Sequence, residues 1–486
     1  MNFISISFAV FFLVVILLLR LAPSRVLRQA LLIVASLAFY ATFGPLYLLV
    51  LFAPILIDYF CALQIESCSA QKARKWWLAA AVSLNLLLLG YFKYADFFLA
   101  NVASFLHTAP GHLTIALPLG ISFFVLKSLS YIVDVYRRDL PACRSPWRYA
   151  LYIAYFPDLI SGPIVRAGAF LPQLDRPLRP TLRHVTIGCH MILLGLTKKL
   201  VIADQMALFA DSVFASPATY SPLTVWSAVV AYSLQIYCDF SGYSDMAIGA
   251  SKIIGIDLPE NFNMPYLATS PIEFWRRWHI TLSTWLRDYL YFVLPPRRSK
   301  SWQRYRNVLI TFLLCGLWHG ANWTFVAWGG LHGVALAANH WWNSRRKTVQ
   351  RTRAFSTRFL RWLATYVFIL ITWVLFRAPS LALALSLLRK MTGLAPGGIA
   401  FLYSPLLMIL PLVIAAHAIG IMAQRGAWPS LRAKLHPAFQ VDSNRLTGAY
   451  VLLRPKFFGA FLITSWLLVL ALFGATGAGP FVYFRF

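Results

Sequence analysis

The chain has 486 residues, of which 59% are hydrophobic, 16% aromatic and only 12% charged. Soluble domains carry about 25% charged residues, so this composition and a mean hydropathy of +0.66 exclude a disordered chain, a collagen and an ordinary cytosolic enzyme. The formal net charge is +28. The basic residues of the chain form short runs between apolar segments. This distribution is typical of membrane-protein loops that face anionic lipid and not of a nucleic-acid-binding domain.

Predicted membrane spans follow one another along the chain. The first apolar run, Asn2–Leu19, precedes Arg20 and Arg25, so the positive-inside rule places the N-terminus outside the cell. The further predicted spans are Ala30–Thr42, Tyr47–Leu63, Trp76–Tyr91, Leu117–Val135, Tyr149–Ile164, Val185–Leu196, Pro222–Tyr237, Val308–Trp318, Trp323–Ala338, Trp362–Phe376, Leu402–Met422 and Phe457–Leu472. Several are shorter than the roughly 20 residues of a full crossing or are interrupted by proline and glycine. We therefore predict an all-α polytopic membrane protein with about 11–13 transmembrane helices plus re-entrant and interfacial helices around a cavity.

The C-terminal segment predicts the orientation of the other end. Residues Phe457–Phe484 carry no charge and follow Arg454 and Lys456, so the C-terminus is expected outside as well. With both termini outside, the number of crossings must be even. Neither an internal repeat nor a soluble domain is evident, so we expect one integral domain over residues 1–486.

An aromatic and charged segment, Glu273–Tyr291, is too polar to cross a membrane. At about 100° per residue it predicts an amphipathic helix, with one i,i+4 ion pair between Glu273 and Arg277. The apolar stripe consists of Trp275, Trp278, Leu282, Trp285 and Tyr289, and the opposite face of Arg276, His279, Ser283 and Arg287. Such a helix lies at a membrane surface or lines a pocket, and both interpretations remain open.

Histidines are the notable polar residues of the uncharged stretch Val308–Trp342. His319, in GLWHGANW, is a functional candidate because a histidine within an apolar span is costly and transfers protons near neutral pH. Asn322 could orient its ring or donate to a developing oxyanion, although a purely structural histidine is also possible. For His332 and His340 we favour a packing role.

Other catalytic motifs are absent from the sequence. It contains neither a GxSxG elbow, an HExxH motif, a P-loop nor a Rossmann fingerprint. The six cysteines are scattered without a CxxC pair, so no metal site or disulfide framework is expected. Asp239 and Asp245, in YCDFSGYSDMAIG, could mark an ion path or could specify the fold through hydrogen bonds.

Several motifs in one order resemble the membrane-bound O-acyltransferase (MBOAT) superfamily, in particular its bacterial alginate O-acetylation branch. They are LPLGISFFVLKSLSYIVDVYR, YIAYFPDLISGPIVR, CDFSGYSDMAIG, PENFNMPY, EFWRRWHITLSTWLRDYLY and GLWHGANWTFVAWGGLHG. The resemblance covers residues 117–342. After DYLY the sequence departs from the family's usual proline–leucine–glycine–glycine–asparagine-like turn and continues FVLPPRRSKSWQRYRN.

The resemblance implies a ring of helices around a tunnel through the membrane, with an acyl thioester presented on the cytoplasmic side. His319 matches the catalytic histidine of the family, and His279 matches its second polar position. We predict that His319 acts as general base, with Asn322 or His279 stabilising the oxyanion. The acetyl group would reach an exported, alginate-like polysaccharide through periplasmic acetyltransferase partner proteins.

Acetyl-CoA is the expected donor substrate, with an acyl carrier protein as the alternative, and no bound cofactor is expected. Both donors are anionic, and the basic residues predicted to contact them are Arg276, Arg287, Arg297 and Arg298. The aromatic tail within residues 457–486 ends PFVYFRF and resembles tails in which a tyrosine relays the acyl group. Tyr483 is therefore either a relay or an aromatic membrane anchor.

Two competing functions remain at this stage. A transporter or exporter of polysaccharide or lipid-linked sugar would use the histidines with Asp239 and Asp245 as a proton path. The second competing function lies within the superfamily and is D-alanyl transfer to teichoic acid. In each case we expect a multi-pass protein of the bacterial inner membrane, in contact with its lipid.

Overall fold

The computed structural model describes residues 1–108, 113, 116–294, 301–345, 355–424, 439–442, 450–453, 464–470, 474, 479 and 481. Helices dominate these residues, which confirms the all-α class. Two short antiparallel strands, β1 (Phe439–Asp442) and β2 (Tyr450–Leu453), form a hairpin that the sequence analysis did not predict.

The helices are named in the order in which they occur along the chain. In the first part of the chain they are α1 (Ile6–Leu21), α2 (Arg25–Ala41), α3 (Tyr47–Ser67), α4 (Gln71–Leu89), α5 (Ala95–Leu106), α6 (Ile121–Arg137), α7 (Pro146–Ala154), α8 (Ala167–Phe170) and α9 (Leu182–Leu196). They continue with α10 (Asp204–Ala215), α11 (Pro222–Ile254), α12 (Pro271–Trp275), α13 (Ile280–Leu286), α14 (Ser301–His319), α15 (Trp323–Arg345), α16 (Phe355–Arg377), α17 (Leu381–Met391) and α18 (Ser404–Gln424). Residues 464–470 are also helical.

Five helical segments of the described chain are long and apolar enough to cross a membrane. They are Tyr47–Ser67, Gln71–Leu106, Leu182–Ala215, Phe355–Arg377 and Ser404–Met422. Two of these are compound, because the π-helical turns Gly90–Tyr94 and Thr197–Ala203 join α4 to α5 and α9 to α10. The protein is thus a multi-pass membrane protein, and the total of 11–13 crossings stays a prediction.

Two helices differ clearly from the predicted spans. The span expected at Tyr149–Ile164 is helical only within α7, which ends at Ala154. Pro157 and Gly162 follow, and proline cannot supply the backbone N–H that a continuing helix needs. By contrast, α11 extends to Ile254 although the span was expected to end at Tyr237.

One compact unit consists of residues 1–192 and 246–259. A buried ion pair lies in its core, where the Lys127 Nζ donates to the Asp158 carboxylate at 2.9 and 3.0 Å. Gly120 adopts φ +79°, and a Cβ atom there would lie 2.7 Å from the carbonyl oxygen of Leu159. These contacts bring together the two upstream motifs, LPLGISFFVLK and YFPDLISGP.

The second compact unit consists of residues 193–245 and of the described residues from 260 onward. Its core is rich in large aromatic side chains, among which Trp278, Trp328 and Trp373 are fully buried. Both candidate histidines, His279 and His319, belong to this unit. The prediction of one integral domain over residues 1–486 stays a prediction.

Candidate functional site

A tightly packed helix pair carries His319. The first helix, α14, ends at His319, and α15 begins after a short turn. The helices approach closely because glycines face each other where they cross: a Cβ atom on Gly316 would lie 2.2 Å from the carbonyl oxygen of Phe325. The backbone position of His319 therefore depends on the glycines at this helix crossing, where any side chain would clash.

Aromatic rings enclose the imidazole of His319. The ring centroids of Trp318, Trp328 and Phe376 lie 4.9, 5.1 and 5.2 Å from the imidazole centroid. His319 is 3% exposed. Such surroundings keep bulk water away from the imidazole.

Asn322 caps the helix that follows His319. Its Oδ1 accepts a hydrogen bond from the backbone N–H of Thr324 at 3.0 Å, and its Nδ2 donates to the carbonyl oxygen of Pro379 at 2.9 Å. These bonds stabilise the start of α15. The oxyanion role of Asn322 stays a prediction, and it would require the second N–H of the Nδ2 group.

The segment Glu273–Tyr291 is not the continuous helix that we predicted. His279 adopts a left-handed backbone conformation with φ +43°, and it separates α12 from α13. The break is stabilised from outside the segment, because the backbone N–H of Ile280 donates to the carbonyl oxygen of Asn261 at 2.9 Å. A backbone group that a continuous helix would use internally is thus bonded to a distant part of the chain.

The predicted amphipathic pattern is present only in part, because His279, which we assigned to the polar face, is fully buried. The indole rings of Trp275, Trp278 and Trp285 are buried, whereas Arg276 is exposed. The predicted ion pair is confirmed, with Arg277 Nη2 3.0 Å from Glu273 Oε1. Partial burial tends to raise the pKa of Glu273, but hydrogen bonds from Thr269 and the charge of Arg277 outweigh it and hold this pKa below its ordinary value.

His279 is fully buried and lies beside Trp318, one of the rings that enclose His319. Its Nδ1 lies 3.0 Å from Oδ1 of Asn261, and burial lowers the pKa of its imidazole. The Trp318 ring lies 6.3 Å from the His279 centroid and 4.9 Å from that of His319. The structure thus brings the two predicted histidines to one shared indole ring. Sequence analysis missed Asn261, although it stands in the quoted motif PENFNMPY. The only signal in the sequence was the amide side chain itself, and its burial is known only from the structure.

His332 is a structural histidine. The Trp275 Nε1–H donates to its Nδ1 at 3.1 Å, and its Nε2 lies 3.1 Å from the hydroxyl of Thr372. An indole N–H can only donate, so Nδ1 is the acceptor and Nε2 carries the proton. The Thr372 hydroxyl in turn donates to the carbonyl oxygen of Ile369 at 2.9 Å. This arrangement agrees with the packing role that we favoured.

The predicted donor-binding arginines lie in different environments. Arg276 and Arg287 are exposed, and Arg287 forms an ion pair with Asp288 at 2.8 Å. Burial and the charges of Arg304 and Arg276 lower the pKa of His340. Arg297 and Arg298 lie outside the described residues.

Asp239 and Asp245 are paired with two consecutive lysines. Lys199 Nζ lies 2.7 Å from Asp239 and 2.8 Å from Asp204, and Lys198 Nζ lies 2.5 Å from Asp245. Both lysines belong to the π-helical turn Thr197–Ala203. Both carboxylates are therefore ion-paired, which is consistent with a fold-specifying role, and the ion path that the sequence also allowed stays a prediction.

The aromatic tail contacts this ion-pair cluster. The ring of Phe481 is buried, 4.9 Å from the ring of Tyr243 and 4.7 Å from Lys199 Nζ. A lysine over an aromatic face gains a cation–π interaction. Tyr483, the predicted relay, lies outside the described residues.

Comparison with known proteins shows close relatives. The chain is 42% identical over 372 residues to a probable alginate O-acetylase of Azotobacter vinelandii, which covers 75% of this chain and 72% of that protein. It is 40% identical over 389 residues to a peptidoglycan O-acetyltransferase of Helicobacter pylori, covering 75% and 73%. A teichoic acid D-alanyltransferase of Streptococcus thermophilus is 28% identical over 260 residues, covering 48% and 60%.

The family comparison covers the region that holds the two histidines. The profile of the membrane-bound O-acyltransferase family matches residues 144–388, which include α14, α15 and the turn at His279. The resemblance inferred from the sequence motifs is thereby confirmed. This chain belongs to the membrane-bound O-acyltransferase (MBOAT) family and is an acyltransferase.

Proposed function

We propose that the protein transfers an acetyl group from a cytoplasmic thioester, through a tunnel in the membrane, for O-acetylation of an exported polysaccharide. The observation that carries this proposal is His319, a buried imidazole enclosed by aromatic rings, one of which, Trp318, also lies beside His279. The relatives named as O-acetylases are more similar to the chain than the D-alanyltransferase is. This difference favours acetyl over D-alanyl transfer.

In the proposed reaction, His319 acts as general base. A hydroxyl oxygen attacks the carbonyl carbon of the acetyl thioester while the imidazole takes the hydroxyl proton. The tetrahedral intermediate then breaks its carbon–sulfur bond, and the departing thiolate receives the proton from the imidazolium. The ester and the free thiol are the products, and no oxidant or metal is needed.

The aromatic enclosure of His319 sets a condition on this mechanism. Because the residue is only 3% exposed, donor and acceptor must reach it through a narrow passage beside Trp318, Trp328 or Phe376. A passage lined with indole and phenyl groups limits the entry of water and hence the hydrolysis of the thioester. We propose that His279 or the Asn322 amide stabilises the oxyanion, an effect worth on the order of a hundredfold in rate.

The donor is proposed to be acetyl-CoA, with an acyl carrier protein second. The exposed side chains of Arg276, Arg287 and Arg304 offer positive charge to the phosphates or acidic surface of either donor. Since Arg287 is already paired with Asp288, Arg276 and Arg304 are the stronger candidates. The protein requires no bound cofactor in this proposal.

The acceptor side is proposed to face the periplasm. The distribution of basic residues supports a placement in the inner membrane with both termini outside. Phe481 of the tail is buried beside Lys199. We propose that Tyr483, two residues further along the chain, acts as acyl relay to a periplasmic partner. Replacing Tyr483 by Phe removes the hydroxyl but retains an aromatic anchor, so unchanged polymer acetylation in that variant would refute the relay.

The central test replaces His319. His319→Phe retains a ring among the three aromatic neighbours and removes both nitrogens, so the variant is expected to insert and to lose acetyl transfer. The measurement is base-labile acetate on exported polymer in cells whose only copy carries the substitution. His107→Asn is the matched control, because His107 is exposed with φ +54° and asparagine tolerates that conformation.

The outcomes separate the candidate functions. Polymer that is exported without acetate supports the proposal, and normal acetate in the His319→Phe cells contradicts it. Ester-linked alanine on the wall polymer, lost in the same variant, would instead indicate D-alanyl transfer.

A further inference from the structure

Asn261 holds His279 from two sides, through its side chain and through its backbone. We propose that Asn261 is a positioning residue that keeps His279 in one tautomer, with the proton on Nδ1 and the lone pair on Nε2. The proposal rests on the proposed function, because it assigns a purpose to the second histidine of the acyl-transfer site.

The hydrogen bonds at Asn261 determine which atom donates. Its Oδ1 lies 3.3 Å from the backbone nitrogen of Thr281, 2.9 Å from the Thr281 hydroxyl and 3.0 Å from Nδ1 of His279. A backbone N–H can only donate, so the atom facing it must be the amide oxygen. That oxygen has only lone pairs to offer, and therefore Nδ1 of His279 must carry the hydrogen.

The other half of the amide supports this orientation. Nδ2 of Asn261 donates to the hydroxyl oxygen of Ser244 at 3.3 Å. Asn261 is 1% exposed, so its amide cannot exchange these partners for bulk water. A reversed amide would place two N–H groups against the N–H of Thr281, which is unfavourable for a buried group.

His279 is held in a neutral form by its surroundings. The ring of Phe240 meets it edge to face with centroids 4.7 Å apart, and the ring of Phe262 lies roughly parallel at 6.5 Å. Burial lowers the pKa of the imidazole. With Nδ1 protonated and the ring neutral, Nε2 is the nitrogen that can accept a proton or a hydrogen bond.

The backbone of the same residue completes the arrangement. His279 has φ +43°, a conformation that non-glycine residues seldom adopt and that persists only where surrounding contacts impose it. The carbonyl oxygen of Asn261 accepts from the N–H of Ile280 at 2.9 Å, one residue after the strained position. Asn261 therefore fixes the ring, its tautomer and the turn that carries it, much as outer-shell partners orient metal-binding histidines.

The test compares three substitutions. Asn261→Ser is too short to reach Nδ1, so it releases the tautomer. Asn261→Asp keeps an acceptor oxygen at the same place but adds a charge. Thr281→Val is the matched control, because it removes one donor to Oδ1 and leaves the His279 bond intact.

Activity is measured as release of CoA thiol from acetyl-CoA by inside-out membrane vesicles, after subtraction of the rate in His319→Phe vesicles. At pH 9 we expect Thr281→Val to be within about twofold of wild type, Asn261→Asp within about tenfold, and Asn261→Ser reduced by more than about tenfold in kcat with little change in KM. The ratio of Asn261→Asp to wild-type activity should rise with pH, because the carboxylate favours the imidazolium form of His279 at lower pH.

Two results would overturn the inference. If Asn261→Ser is as active as Thr281→Val, the bond to Nδ1 has no role in catalysis. If Asn261→Ser and Thr281→Val lose activity and thermal stability in parallel, Asn261 merely holds the loop. The comparison of these two variants does not depend on whether Asn261→Asp accumulates in the membrane. Wild-type vesicles without His319-dependent thiol release would contradict the proposed function itself, and with it the role of His279.

Discussion

The glycine contact between α14 and α15 offers a direct test of how His319 is positioned. A Cβ atom added at Gly329 would lie 2.2 Å from the carbonyl oxygen of Phe312 and 3.1 Å from the backbone of Gly316. Ordinary van der Waals contact begins at 3.4 Å. Because the obstacle is backbone and not a flexible side chain, Gly329→Ala requires the helices to separate by about 1.2 Å, the difference between 2.2 and 3.4 Å.

The cost of this separation can be bounded from general experience. Adding a methyl group to a tightly packed interior costs about 1–3 kcal/mol. A displacement of about 1 Å at a catalytic group reduces rates by roughly a hundredfold. We therefore expect Gly329→Ala to lower the thermal stability of the purified protein and, more strongly, to lower acetate on the exported polymer.

The neighbouring glycine supplies the control. A Cβ atom at Gly330 would meet only the Cδ2 atom of Leu313, at 3.5 Å. Gly330→Ala should therefore be neutral or slightly stabilising, since alanine favours a helix over glycine by about 1 kcal/mol. If Gly329→Ala matches Gly330→Ala in both stability and acetylation, the close helix crossing does not position His319.

Two further predictions concern charged groups. Lys199→Met removes the ammonium that pairs with the buried carboxylates of Asp204 and Asp239 and should destabilise the protein by about 3–5 kcal/mol. In thermal unfolding, the double variant Lys199→Met/Asp239→Leu should partly recover this stability, and equal stability of all three proteins would contradict the pairing. Glu273→Gln should lower the free energy of unfolding at neutral pH, because the pKa of Glu273 in the folded protein lies below its ordinary value of 4.5. The ionised carboxylate therefore stabilises the protein above the pKa of the unfolded state, and this stabilisation is lost as the pH falls through the pKa of the folded state. The difference between Glu273→Gln and wild type should disappear well below pH 4.5, and a difference that persists at low pH would show that the ionised carboxylate is not its source.

The sequence alone was sufficient for features that depend on composition or on near neighbours. Hydropathy identified a multi-pass helical membrane protein, because the lipid interior requires apolar segments whose backbone groups are bonded internally. Helical spacing predicted the ion pair between Glu273 and Arg277, since residues four apart lie on one face. Ordered motifs indicated the MBOAT family.

Features that join distant parts of the chain were decided by the tertiary structure. The break at His279 interrupts a segment whose periodicity favours a helix. It is stabilised by Asn261, 18 residues away, whose side chain bonds to the ring and whose carbonyl oxygen accepts from the N–H of Ile280. Lys199 pairs with Asp239 across 40 residues, a pairing that no local pattern of charge predicts. Periodicity reports only which residues share a face of one helix, whereas the partner of a buried polar group is set by the elements that pack against it.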